Sequence, residues 1–302
     1  MTAAIRADGL TKRYGDTLAL DALDLAVAPG EVYGYLGPNG AGKTTTIRML
    51  LGLHRPSAGH AAIFGIDAWS TPVAAHRRLA YVPGEPFLWP ALTGAETLAY
   101  LARLHGDSDK AYGDLLVQRF KLDTDKKVRA LSKGNRQKVQ LIAAFATRAD
   151  LMILDEPTTG LDPLMEMAFR ETVLEAKARG QTVFLSSHIL SEVEALCDRV
   201  GILRDGRLVD EGTLGELRHL AAQTIDVSFD GPAPDLRGLE GVHVAPAGRS
   251  ALRLEVSGGV GPVIAALAEH PVATLTSREP SLEEIFLHHY DGSTGSNGRA
   301  PH

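Results

Sequence analysis

The sequence predicts an α/β fold built on a parallel sheet, with an inserted helical subdomain and a small α+β appendix. Three observations lead there. The segments EVYGYLG (residues 31–37) and LMIL (residues 151–154) are apolar without alternation, as suits strands buried on both faces of a parallel sheet. Between them, residues 92–148 are rich in helix formers, with ALTGAETLAYLARLHG and AYGDLLVQRFKL reading as helices. After Leu220 the pattern changes to strand-like alternation in TIDVSFDG, GVHVAP and ALRLEVSG, interleaved with the helical stretches PVIAALAEH and PSLEEIFLHHY.

The expected organisation is a core domain over residues 1–220, with its helical subdomain at about 86–150, an accessory domain over 221–291, and a flexible tail over 292–302. Residues from Ile5 to about Val82 are expected to begin the α/β core, and residues from about Asp150 to Leu217 to complete it. Leu98, Leu101 and Leu104 fall at helical spacing and are expected in the core of the subdomain. Ser281 to Glu284 reads as a capping box that starts the last helix.

Composition restricts the function classes. The 302 residues are 44% hydrophobic and 23% charged, the balance of an ordinary globular protein. No stretch approaches the roughly 20 uninterrupted apolar residues of a membrane-spanning helix. The start MTAAIRADGL has no charged-then-apolar leader, and Cys197 stands alone, so a cytosolic location without disulfides is expected. A net charge of −6 gives no basic footprint for nucleic acid.

The chemistry is concentrated in two motifs. Gly37 to Thr44 reads GPNGAGKT and matches G-x-x-x-x-G-K-[ST], a loop whose backbone N–H groups wrap phosphates while its lysine reaches the terminal ones. It sits between a buried strand and a helix, the context that such a loop requires. The second motif, LMILDEPTTGLDP, delivers Asp155 and Glu156 to the carboxyl end of a buried strand, where open α/β sheets hold their ligands. Adjacent carboxylates there can divide the work, Asp155 holding magnesium and Glu156 addressing an attacking water.

Between these motifs lies LSKGN, Leu131 to Asn135. In this order and at these distances, the three elements resemble the nucleotide-binding subunit of an ABC transporter over roughly Ile5 to Leu217. The resemblance implies a RecA-like phosphate-loop ABC ATPase core that binds ATP and Mg2+. Gly37, Pro38, Asn39, Gly40, Ala41, Gly42, Lys43, Thr44 and Thr45 would form the nucleotide cradle, and Thr44 and Asp155 would be the metal ligands. Glu156, His188 and Lys43 would be catalytic, with Tyr14 stacking on adenine. LSKGN stands where the family has LSGGQ; Lys133 and Asn135 depart from that motif, while Ser132 and Gly134 retain its contact positions. In the family this segment opens a helix that faces the γ-phosphate held by a second copy of the domain, and Asp162 matches the loop bridging the two domains. The residues agree: Ser132 can cap a helix through Arg136 to Thr147, and Asp162 can cap one that begins at Pro163.

The resemblance further implies a second nucleotide-binding domain, most simply in a homodimer, and a polytopic membrane permease that holds the chain peripherally at the cytoplasmic face of the membrane. Phe87 and Trp89 are candidates for the permease contact. Where most relatives carry a glutamine, YVPGEP has Gly84, and Glu85 or a water is expected to take its place. EPSLEEIFL resembles the end of the accessory domain in ATPases of exporters for drugs, antibiotics and polysaccharides. Two alternatives stay open on these motifs: an ABC ATPase acting on ribosomes, DNA or cluster assembly, and the ATPase of an importer. A non-enzymatic ATP-binding module is disfavoured by the intact Glu156 and His188.

Overall fold

The computed structural model describes residues 2–106, 108–220, 223–278 and 281–291, so the expected flexible tail at 292–302 lies outside the described residues. The chain divides into two compact units, Met1–Glu211 and Gly212–His302.

The first unit opens with β1 (Ile5–Tyr14) and β2 (Thr17–Val27), an antiparallel pair joined by a tight turn in which Gly15 takes a φ of 54°. Next come β3 (Val32–Leu36), α1 (Lys43–Leu50), β4 (Ala58–Ile63), β5 (Ile66–Asp67), α2 (Pro72–His76) and β6 (Leu79–Val82). The helical insertion consists of α3 (Gly94–His105), α4 (Lys110–Arg119) and α5 (Lys133–Ala146). The chain then returns through β7 (Leu151–Asp155), α6 (Pro163–Ala178), β8 (Thr182–Ser187), α7 (Leu190–Leu196), β9 (Arg199–Arg204) and β10 (Arg207–Thr213).

Two sheets result. The larger has the order β10-β9-β3-β8-β7-β6, with β9, β3, β8, β7 and β6 parallel throughout. Every residue of β3, β7 and β8 is buried, which accounts for the unbroken apolar runs VYGYL in β3 and LMIL in β7. Tyr33 stacks on Phe184 across this sheet at 5.8 Å. The smaller sheet, β2-β1-β4-β5, is antiparallel. Of the stretch 5–82, only β3 and β6 enter the parallel sheet; β1, β2, β4 and β5 form the smaller sheet, which packs into the same hydrophobic core. Burial alternates along the second half of β2, with Leu23, Leu25 and Val27 inward and Asp24 and Ala26 exposed. That pattern suits a sheet covered on one face, not a strand in the middle layer.

In the insertion, α3 starts at a capping box in which Thr93 and Glu96 satisfy one another's backbone amides. Helix α4 is tied to α6 by Arg119, which donates to Glu175 at 2.6 Å and to Thr172 at 3.1 Å. Leu98, Leu101 and Leu104 are not core residues: the first two are half-buried and Leu104 is 63% exposed. Leu101 and Leu104 instead line an apolar groove of about 650 Å³ together with Phe87, Leu88, Trp89 and Leu79. Phe87 is 91% exposed, while Trp89 packs edge-on against Tyr100 at 4.7 Å.

The second unit holds α8 (Leu214–Leu220), β11 (Gln223–Phe229), β12 (Val242–Pro246), β13 (Ala251–Val256), α9 (Gly261–Leu267), β14 (Val272–Arg278) and α10 (Leu282–Asp291). Its antiparallel sheet has the order β12-β13-β11-β14. Ile225, Val227, Leu254 and Val256 pack with Val263 and Leu267 of α9 into a separate core. The unit begins at Gly212, ahead of the Leu220 boundary expected from the change in composition, because α8 packs against α10. Ser281 and Glu284 form a reciprocal cap, with Ser281 N to Glu284 Oε2 at 2.9 Å and Glu284 N to Ser281 Oγ at 3.2 Å.

Candidate active site

The glycine loop leaves β3 at Gly37 and enters α1 at Lys43. Gly42 takes a φ of 115°, and a Cβ there would stand 2.8 Å from the Ala19 carbonyl, so only glycine turns the chain this closely. No side chain caps α1, which leaves its first amides and positive dipole end for an anion. Lys43 is buried and donates to the carbonyls of Gly37 at 2.6 Å and Pro38 at 3.2 Å. Burial lowers its pKa, and the charges of Glu156 and Asp155 oppose that shift.

At the end of β7, Asp155 is buried and accepts from Thr44 Oγ1 at 3.4 Å. Burial raises its pKa, and the hydroxyls of Ser186 and Thr44 and the charge of Lys43 pull the other way. Glu156 follows with a φ of 48°, an uncommon conformation for a residue with a side chain. Its amide donates to Ser186 O at 2.9 Å, and its Oε1 lies 3.2 Å from His188 Nδ1 and 3.9 Å from Lys43 Nζ. The parallel register places Asp155 beside Ser186, which brings His188 next to Glu156.

Five expected residues, Lys43, Thr44, Asp155, Glu156 and His188, thus converge at the carboxyl edge of the parallel sheet. Among the described residues no hydrogen bond or ion pair joins Tyr14, Ser132 or Asp162 to that cluster. Tyr14 is 43% exposed, its hydroxyl 2.5 Å from His54 Nδ1 and its ring 4.9 Å from Lys12 Nζ. Ser132 caps α5 by accepting from Asn135 N at 3.2 Å. Asp162 caps α6 by accepting from Met165 N at 3.1 Å, with Pro163 at the first helical position.

Two glycine contacts were not foreseen. A Cβ on Gly134 would stand 2.2 Å from the Gly160 carbonyl, so the start of α5 packs backbone to backbone on the TTGLD loop. A Cβ on Gly84 would stand 3.1 Å from the Asp155 carbonyl, so the 83–86 loop lies directly over the peptide that carries Glu156. Glu85 itself is exposed.

The sequence pattern of the ABC transporter family matches residues 20–159. Over 300 residues, the chain is 39% identical to the daunorubicin resistance ATP-binding protein DrrA3 of Streptomyces coeruleorubidus, covering 94% of this chain and 95% of that protein. The chain belongs to the ATP-binding subunits of ABC transporters. It is 41% identical over 214 residues to the bacitracin transport ATP-binding protein BcrA of Bacillus licheniformis, covering 70% of each. The solved structure of an ATP-binding subunit of an ABC transporter superposes with a TM-score of 0.67 at 36% identity, covering 71% of this chain and 92% of that one.

This ATP-binding subunit is therefore an ATP hydrolase of the ABC-transporter type, with the phosphate-loop core of that fold. Its match to DrrA3 spans the second unit as well as the first. Among its described residues, no helix is long and apolar enough to cross a membrane.

Proposed function

We propose that this ATP-binding subunit powers export through a separate polytopic membrane permease, acting at the cytoplasmic face of the membrane as one of two paired nucleotide-binding domains. The observation that carries the catalytic part is the convergence of Lys43, Thr44, Asp155, Glu156 and His188 within hydrogen-bond and ion-pair distances. Export is supported by the names of the relatives, which are resistance and antibiotic transport proteins.

The loop Gly37 to Thr45 cradles the ATP phosphates, and Lys43 neutralises their charge once it exchanges the Gly37 and Pro38 carbonyls for phosphate oxygens. Thr44 Oγ1 and Asp155 Oδ2 fit a magnesium ion. They are oxygen donors 3.4 Å apart, and Asp155 is a buried carboxylate that a cation would stabilise. Bound there, magnesium supplies charge neutralisation at the phosphates. Glu156 orients the attacking water, and His188 fixes the carboxylate and contacts the γ-phosphate. Tyr14 gives adenine an aromatic face.

Ser132 and Gly134, at the start of α5, face the nucleotide held by the second copy, and Asp162 lies in the bridge between the two. Catalysis is then mostly positioning and charge stabilisation. ATP drives closure by binding the closed pair more tightly than the open one; moving a 1:99 equilibrium to 99:1 takes about 5.5 kcal/mol. The groove at Phe87 and Trp89 takes a helix projecting from the permease, with Phe87 as its exposed anchor.

Affinity purification of the tagged subunit from detergent-solubilised host membranes tests this reading. A polytopic membrane partner, with hydrolysis lost in Glu156→Gln, is expected. Recovery of only ribosomal or DNA-associated proteins would leave the ATPase and overturn transport.

A further inference from the structure

We propose that Glu192 is a positioning residue for ATP hydrolysis: it fixes the Ser187 hydroxyl, and through it the turn that presents His188 to Glu156. The inference rests on the roles proposed above for His188 and Glu156. Glu192 is on α7, one helical turn beyond His188, and only 8% exposed. Its Oε2 accepts from Ser187 Oγ at 2.7 Å, and Ser187 Oγ accepts in turn from Ile189 N at 3.0 Å.

A serine hydroxyl has one proton and two lone pairs. An acceptor-only carboxylate claims the proton and so turns a lone pair toward the Ile189 N–H. That closes a serine turn over residues 187–189 with His188 at its middle. Ser187 is buried at the end of β8 and cannot look to water for another partner. The orientation of the turn therefore depends on Glu192.

A shared pocket links Glu192 to the Glu156 side, since Thr158 and Glu192 both line it. Burial raises the pKa of Glu192 and the hydroxyls of Ser187 and Thr158 pull the other way, while its buried Oε1 has no partner of standard hydrogen-bond geometry. Thr158 is buried two residues after Glu156. A carboxylate whose own burial is costly thus stands between the two segments that carry Glu156 and His188, which lie 3.2 Å apart.

The test is steady-state MgATP hydrolysis by the purified full chain as Glu192→Ala, Ser187→Ala, Glu192→Gln and His188→Ala, with the doubles Glu192→Ala/Ser187→Ala and Glu192→Ala/His188→Ala. Glu192→Ala and Ser187→Ala are each expected to lower kcat about tenfold with KM unchanged, the scale of a lost bond to a charged group. The double of those two should fall no further than either single, and Glu192→Ala should add nothing on the His188→Ala background. Glu192→Gln, whose carbonyl can still accept the Ser187 proton, should recover most of the activity. A lower thermal midpoint with unchanged kcat, or a full additional loss on the His188→Ala background, would overturn the proposal. Should Glu192→Ala not fold, Ser187→Ala alone and with His188→Ala decides on the same terms. Normal hydrolysis by both His188→Ala and Glu156→Gln would instead remove the site assignment itself.

Discussion

His188 Nδ1 stands 3.2 Å from Glu156 Oε1, joining the ends of two adjacent parallel strands at the point where the chain turns away from the sheet. Glu156 is held in a left-handed conformation, and its Oε1 is shared with Lys43 at 3.9 Å, so its carboxylate is fixed from two sides. Removing the imidazole frees the carboxylate and, in the proposed mechanism, takes away a polar contact to the reacting phosphate. His188→Ala should lower kcat on the order of a hundredfold while ATP still binds, checked by hydrolysis alongside equilibrium nucleotide binding.

Gly134→Ala should be more damaging than its size suggests. The added methyl would meet the Gly160 carbonyl at 2.2 Å, and both partners are backbone, so either the start of α5 or the TTGLD loop must move. If this segment completes the site of a second copy as proposed, a displacement of about 1 Å there costs around a hundredfold in rate. Hydrolysis should fall by about that factor, with nucleotide binding to the phosphate loop retained, as fluorescent-nucleotide titration would show.

The core motifs were legible because their chemistry is local in sequence. Gly37 to Thr44 and Leu151 to Pro163 each carry a strand end, a turn and a ligand group within a dozen or so residues. Three other features depend on contacts between distant segments and leave no such mark. The separate antiparallel sheet was missed because β1 and β4 pair across the whole phosphate-loop segment. Strand β14 was missed because VATLTSR is an edge strand, exposed at every residue after Val272, with no buried face to write alternation into the sequence. Leu104 was read as core because helical spacing reports a shared face and not what covers it. Gly134 was placed correctly as a helix start, but its packing on Gly160 requires the fold.

Phe87→Ala should barely change the thermal midpoint, because the ring is 91% exposed and packs little. Its effect should appear in the permease complex, as weaker co-purification and lower transport-coupled hydrolysis with basal hydrolysis intact.

Glu175 anchors α4 to α6 through Arg119, and the hydrogen bond and charge of that guanidinium hold its carboxyl below the usual pKa. A depressed folded pKa contributes stability that is present above the ordinary glutamate pKa and is lost as pH falls through the depressed value. Glu175→Gln should therefore destabilise the protein at neutral pH. Solvent screening of a side chain 40% exposed limits the loss to roughly 0.5–1 kcal/mol. Denaturant melts of the two proteins should converge at acidic pH, below the ordinary range of glutamate.

The most direct test of the mechanism is Glu156→Gln, measured at once for MgATP hydrolysis and for association state by sedimentation. The variant keeps the phosphate loop and Lys43 but loses the group proposed to orient water. ATP should bind, turnover should fall by several orders of magnitude, and a nucleotide-bound dimer should accumulate. Near-normal hydrolysis without a trapped dimer would remove Glu156 from the mechanism and with it the paired-site account.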